Sequence, residues 1–150
     1  MNSRVSLSKK NAKAYGQLID MSNNIDEQAI LAGLEEGFVH LLKLRLSQIN
    51  GCAFCVRLHS QDAQKCGVSI DKIALVATWK ETEYFSEKEK SALSLAESVN
   101  LIHNEHVPDD IYQESAKYWD EAQLASIEWI SIIIGAFNRV AIASRYSVKP

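Results

Sequence analysis

The chain has 150 residues, 47% hydrophobic and 23% charged, with only two prolines. That length and composition suit one domain, residues 1–150, with a continuous core, and exclude a disordered, collagenous or low-complexity chain. Sixteen basic residues against nineteen acidic ones give a formal charge of −3, the wrong balance for a nucleic-acid binder, which needs clustered Lys and Arg to displace counterions.

Taken in chain order, the sequence predicts helices from end to end, because spacings of three and four recur and no Val-, Ile- or Thr-rich run alternates as a strand requires. Residues 1–14 carry Arg4, Lys9, Lys10 and Lys13 with no acid, a composition shared with transit peptides. They contain no apolar run of roughly 7–15 residues, as a secretory signal needs, so a cytoplasmic location is expected. Tyr15, Leu18 and Ile19 mark a first helical face. Ile30, Leu31 and Leu34 continue into Phe38, Leu41, Leu42, Leu44, Leu46 and Ile49 as one long apolar helix, stopped by Asn50-Gly51. A helix from about Cys52 to Lys65 ends at Gly67, and Ile70 to Trp79 forms a short one. Ser86 and Glu89 make a capping box for the next. Pro108 opens a helix over Ile111 to Tyr118, and Asp120 opens the last and longest, to about Arg145. Its apolar stretch, Ile127 to Ala143, is interrupted by Glu128, Asn138 and Arg139. A membrane span wants about 20 apolar residues with few charges, so a core helix is expected instead. The sum is one all-α domain of six or seven helices. The last helix is apolar on nearly every side, more than a small domain can bury, so a homo-oligomer is expected.

The segment Cys52-Ala53-Phe54-Cys55-Val56-Arg57-Leu58-His59 carries the specific chemistry. Two cysteines separated by two residues can close a disulfide at the first turn of a helix, where amide donors and the helix dipole favour thiolate. His59 falls on the same face as Cys55 one turn later, where an imidazole can take a proton from a thiol and return it to a leaving group. A c-type haem site needs His at Val56, and a thioredoxin-like site needs a preceding strand. Zinc stays open: Cys52, Cys55, His59 and His40 would make a Cys2His2 set for a structural or regulatory module. So does the bland reading of two buried cysteines and a capping His. Cys66, near the helix end, reads as structural. His103 and His106 read as solvated or capping residues, and Trp79, Trp119 and Trp129 as core or interface. Asn138 and Arg139 read as groups that satisfy helix ends or a subunit contact, and Glu87 to Lys90 as a solvated helix face.

The run Leu41 to Cys55, LLKLRLSQINGCAFC, with His59 beyond it, closely resembles the carboxymuconolactone decarboxylase superfamily in its alkylhydroperoxidase D-like (AhpD-like) branch. Trp79-Lys80-Glu81-Thr82, Phe85 to Glu89, Ala96-Glu97, His106-Val107-Pro108 and Phe137-Asn138-Arg139 resemble that branch's later landmarks in order. Decarboxylase-type members lack the cysteine pair, so the resemblance is to the redox type, although a decarboxylase-type enzyme on a small cyclic acid remains an alternative. The resemblance implies an all-helical trimer or hexamer of antioxidant peroxidase type. Its substrate is a hydroperoxide, and its reductant a thiol or dithiol of protein or lipoyl type. The cycle needs no organic cofactor and no metal, and neither a nucleic acid nor a membrane is implied. By the same resemblance Cys55 is the peroxidatic thiol, Cys52 resolves it, and His59 serves the proton relay. Twelve residues before Cys52 the family usually has Glu, and here stands His40. An imidazole there is expected to act as base or, once protonated, to favour the thiolate.

Overall fold

The computed structural model describes residues 4–150, and within them every regular element is helical. The basic N-terminal stretch is therefore described only from Arg4 onward, its first three residues lying outside that range. The α-helices are α1 (Leu7–Lys10), α2 (Ala12–Leu31), α3 (Glu36–Asn50), α4 (Ala53–Lys65), α5 (Ile70–Leu75), α6 (Glu87–Asn100), α7 (Ile102–Glu105), α8 (Asp109–Ala116) and α9 (Glu121–Ala143). The expected six or seven helices are the longer members of this set. The single-turn α1 and α7 have too few residues for a sequence period to reveal them.

Two expected boundaries change. The apolar run from Ile30 to Ile49 is not one helix, because Gly33 adopts φ +101° and the Leu34 N–H turns back to the Ala29 carbonyl at 3.0 Å. That bond ends α2, and glycine takes the left-handed conformation without a Cβ clash. Ile30 and Leu31, read as the start of that helix, are exposed at the end of α2. The helix expected over Ile70 to Trp79 is α5 followed by a 3-10 helix, Val76–Glu81, with non-helical dihedrals at Thr78.

α3 lies at the centre. Its Leu41, Leu42, Leu44 and Leu46 are each at most 1% exposed, and burial of each such side chain is worth about 1.5–3 kcal/mol. α4, α6 and α9 pack around it, with Ile127, Ile130, Ile133 and Ile134 of α9 completing the core. The capping boxes of α6 (Ser86 with Glu89) and α9 (Asp120 with Gln123) form as their sequences require.

A group of buried polar side chains bonds across helices. Asn138 of α9 donates to Ser47 Oγ at 3.0 Å and accepts from Asn50 at 2.8 Å, while Asn50 also donates to Asn100 Oδ1 at 2.9 Å. Asn138 therefore pins α3 to α9 rather than serving a helix end. Trp79 and Arg45 both donate to Glu97 Oε1, at 2.8 and 2.6 Å. Trp79 and Trp119 are buried, whereas Trp129 is half exposed.

Candidate active site

The α3–α4 turn builds the first half of the site. Gly51, with φ +72°, caps α3, and the Cys52 N–H bonds the Ser47 carbonyl at 3.0 Å. The chain then reverses, and Cys52 becomes the N-cap of α4 with extended dihedrals, its Sγ accepting the Cys55 N–H at 3.3 Å. A sulfur thus occupies the position where helices usually place a Ser or Asp oxygen. Cys52 and Cys55 are joined as a disulfide, with their Cα atoms 5.3 Å apart. Both are buried beside Ala141 of α9, and Tyr146 packs against them. The chain ends hold that cover in place: the Leu7 N–H donates to Ser144 Oγ at 3.1 Å and the Tyr146 hydroxyl to Ser8 Oγ at 3.0 Å.

The second half comes from the facing helix surfaces. His59 sits one turn beyond Cys55 and is only 8% exposed. His40 reaches it from α3, the two Nδ1 atoms lying 3.3 Å apart. One of these nitrogens must carry the hydrogen while the other accepts it, so the two imidazoles form a proton-sharing unit. Burial, then the Lys43 charge and then His40 push His59 down to about 3. Burial and then Lys43 also hold His40 below the usual imidazole range, against the opposing pull of Asp62, Asp26 and Glu36. Burial thus works against the cationic form of His40 that the sequence leads one to expect. Desolvation favours the neutral form of both rings, and the cation beside them is Lys43.

Sequence reasoning missed Lys43. It is 4% exposed and its Nζ lies 2.6 Å from Asp26 Oδ2 of α2. Three residues after His40 on α3, it shares a cavity of about 170 Å³ with Cys55, His59, Tyr15, Phe54 and Phe137. Cys55 and His59 are thus brought to the same mainly apolar cavity, whereas Cys52 and His40 stand behind them and not among its walls.

The carboxymuconolactone decarboxylase family profile matches residues 17–98. A Bacillus subtilis protein, the uncharacterized YdfG, is 34% identical over 143 residues, 95% of each chain. This chain belongs to the carboxymuconolactone decarboxylase family. Among solved structures, the Agrobacterium tumefaciens protein ATU0492, of unknown function and proposed as an AhpD antioxidant-defence protein, superposes with a TM-score of 0.91 at 29% identity, covering 99% of both chains. That likeness places the chain in the family's AhpD-like branch. The debrominase Bmp8 shares the fold, with a TM-score of 0.82 at 21% identity over 94% of this chain and 74% of that one.

The chain carries the CxxC pair and the histidine beyond it on which the resemblance rests, and His40 stands where the resemblance implies Glu. The Cys2His2 zinc alternative is not assembled in this oxidised state, because the two sulfurs bond each other and offer no thiolate pair. Cys66 is not in the core. It caps the end of α4, exposed, with a free thiol. His106 does cap, closing α7 in the left-handed conformation.

Proposed function

We propose that this protein is a thiol-dependent peroxidase of antioxidant-defence type, able also to act as a disulfide reductase, with Cys55 as the attacking thiol and Cys52 as the resolving one. The observation that supports this reading is that Cys55, and not Cys52, lines the cavity shared with His59 and Lys43. In the reduced protein the helix N-terminus and Lys43 favour the Cys55 thiolate, and its proton moves through the neutral His59–His40 pair, one ring nitrogen taking a proton up as another gives one on, so that the pair holds no net charge. The thiolate attacks one oxygen of a hydroperoxide, the O–O bond breaks, and the departing alkoxide takes the relayed proton and leaves as the alcohol. Cys55 is now a sulfenic acid. The Cys52 thiol attacks its sulfur, the S–S bond forms, and water leaves. Two thiol–disulfide exchanges with an external dithiol, of protein or lipoyl type, restore both thiols and oxidise that dithiol. No organic cofactor enters this cycle, and the working unit we propose is a homotrimer or homohexamer.

The test is peroxide consumption driven by a dithiol, followed with mass spectrometry of the Cys52–Cys55 segment. Cys55→Ser should abolish turnover, and Cys52→Ser should trap an oxidised Cys55 that a sulfenic-acid label captures. Full activity in Cys55→Ser would sink the assignment.

A further inference from the structure

Beside the redox pair, α3 and α4 carry a second cluster of ligating side chains. Glu36 and His40 lie one turn apart on α3, while His59, Asp62 and the cap residue Cys66 follow one another along α4. One ligand atom each from Glu36, His40 and Cys66 lie within 4.8 Å of one another, and the same holds for His40, His59 and Asp62. The two triads share His40. Helix packing holds them together: α3 approaches the end of α4 so closely that a Cβ on Gly37 would sit 3.5 Å from Cys66 Cβ. The carboxylates of Glu36 and Asp62 are both near enough to act on the Cys66 thiol. Among the described residues Glu36 has no salt-bridge partner, and the Cys66 thiol is free.

We propose that Glu36, His40 and Cys66 bind one divalent ion of the zinc class, with solvent completing the coordination and Asp62 adding negative charge beside it. A sulfur, an imidazole nitrogen and a carboxylate oxygen suit a borderline-soft ion, whereas calcium and magnesium demand oxygen alone. The three ligand atoms already lie within 4.8 Å of one another, and the exposed Glu36 and Cys66 side chains can rotate onto zinc bonds of about 2.0–2.3 Å. Three protein ligands at the surface leave a position open to exchange. An ion held at one ring nitrogen of His40 fixes the proton on the other, the nitrogen that faces His59, and so ties the pair to metal occupancy. That consequence rests on the relay described above, whereas binding itself does not.

The oxidised 150-residue chain gives a clean test, because with Cys52 and Cys55 bonded its one free thiol is Cys66. Cobalt(II) titrated into this form should bind once per chain, develop a cobalt–thiolate charge-transfer band and be displaced by zinc. Cys66→Ser should lose the band, and Glu36→Gln should weaken binding tenfold or more. Absence of the band in the wild type, its survival in Cys66→Ser, or equal affinity in Glu36→Gln overturns the site, and none of these outcomes depends on peroxidase activity.

Discussion

At the scale of single residues, the site is governed by which charges it keeps out of water. His59 titrates near 3 in the fold against 6.5 when unfolded, so between those values the unfolded chain binds the extra proton. Its contribution is therefore fully retained above pH 6.5 and lost as pH falls toward 3. Wild type should lose roughly 3 kcal/mol more stability than His59→Phe between about pH 6.5 and 4, read from denaturant midpoints. Parallel acid limbs for the two proteins would refute this. Lys43 carries the opposite liability, a buried ammonium held by Asp26, whose second oxygen Oδ1 is buried without a partner. Lys43→Met leaves that half-buried carboxylate without its cation and should cost about 1–3 kcal/mol, water reaching its exposed part and keeping the loss below that of a fully buried charge. The double variant Lys43→Met/Asp26→Leu should recover the stability but not the reactivity. Cys55 alkylation in the reduced protein should stay about tenfold slower, with its pH midpoint moved up, because the thiolate has lost a neighbouring cation. Wild-type alkylation in the double variant would make Lys43 purely structural.

At the scale of elements, local chemistry was easy to read and long-range pairing was not. Gly51, the Ser86–Glu89 capping box, the helix start at Asp120 and the CxxCxxxH segment each act within a few residues, and each formed where the sequence placed it. His40 was legible through its offset from Cys52. Lys43 was not, since a lysine among leucines at positions 41, 42, 44 and 46 looks like any outward-facing helix residue until Asp26, on another helix, is folded against it. The α2–α3 break was hidden for a related reason. Ile30, Leu31 and Leu34 keep the apolar spacing, so the period runs through Gly33 although the backbone does not. Gly33→Ala tests the weight of that turn: a side chain at φ +101° should cost about 1–2 kcal/mol, read as a lower thermal midpoint with unchanged helix content. An unchanged midpoint would mean that the turn relaxes to another conformation.

For the whole molecule the decisive element is α9. By length and composition it is apolar enough to cross a membrane, yet half of it is buried against the other helices. Packing with α2, α3 and α6 covers one side and leaves a stripe containing Ala125, Trp129, Ile132 and Ala136, residues spaced by three and four. Trp129 and Ile132 are 49% and 50% exposed. On α2, Met21 is exposed as well, and with Ile25 and Trp129 it lines a shallow depression. A contiguous apolar surface of this kind is costly in water and marks a contact face. A second copy of the chain meets the need, since closed symmetric assemblies bury the same stripe on every subunit at once. A stable contact should cover about 800 Å² on each partner, and the α2 depression adjoins the stripe through Trp129, which belongs to both. Sedimentation velocity at micromolar concentration should find the wild type as a trimer or hexamer. Trp129→Glu/Ile132→Glu should run as a monomer with its helical circular dichroism intact, because neither side chain lies in the core. A wild-type monomer at that concentration would leave the stripe to some other partner and remove self-assembly from the account of this protein.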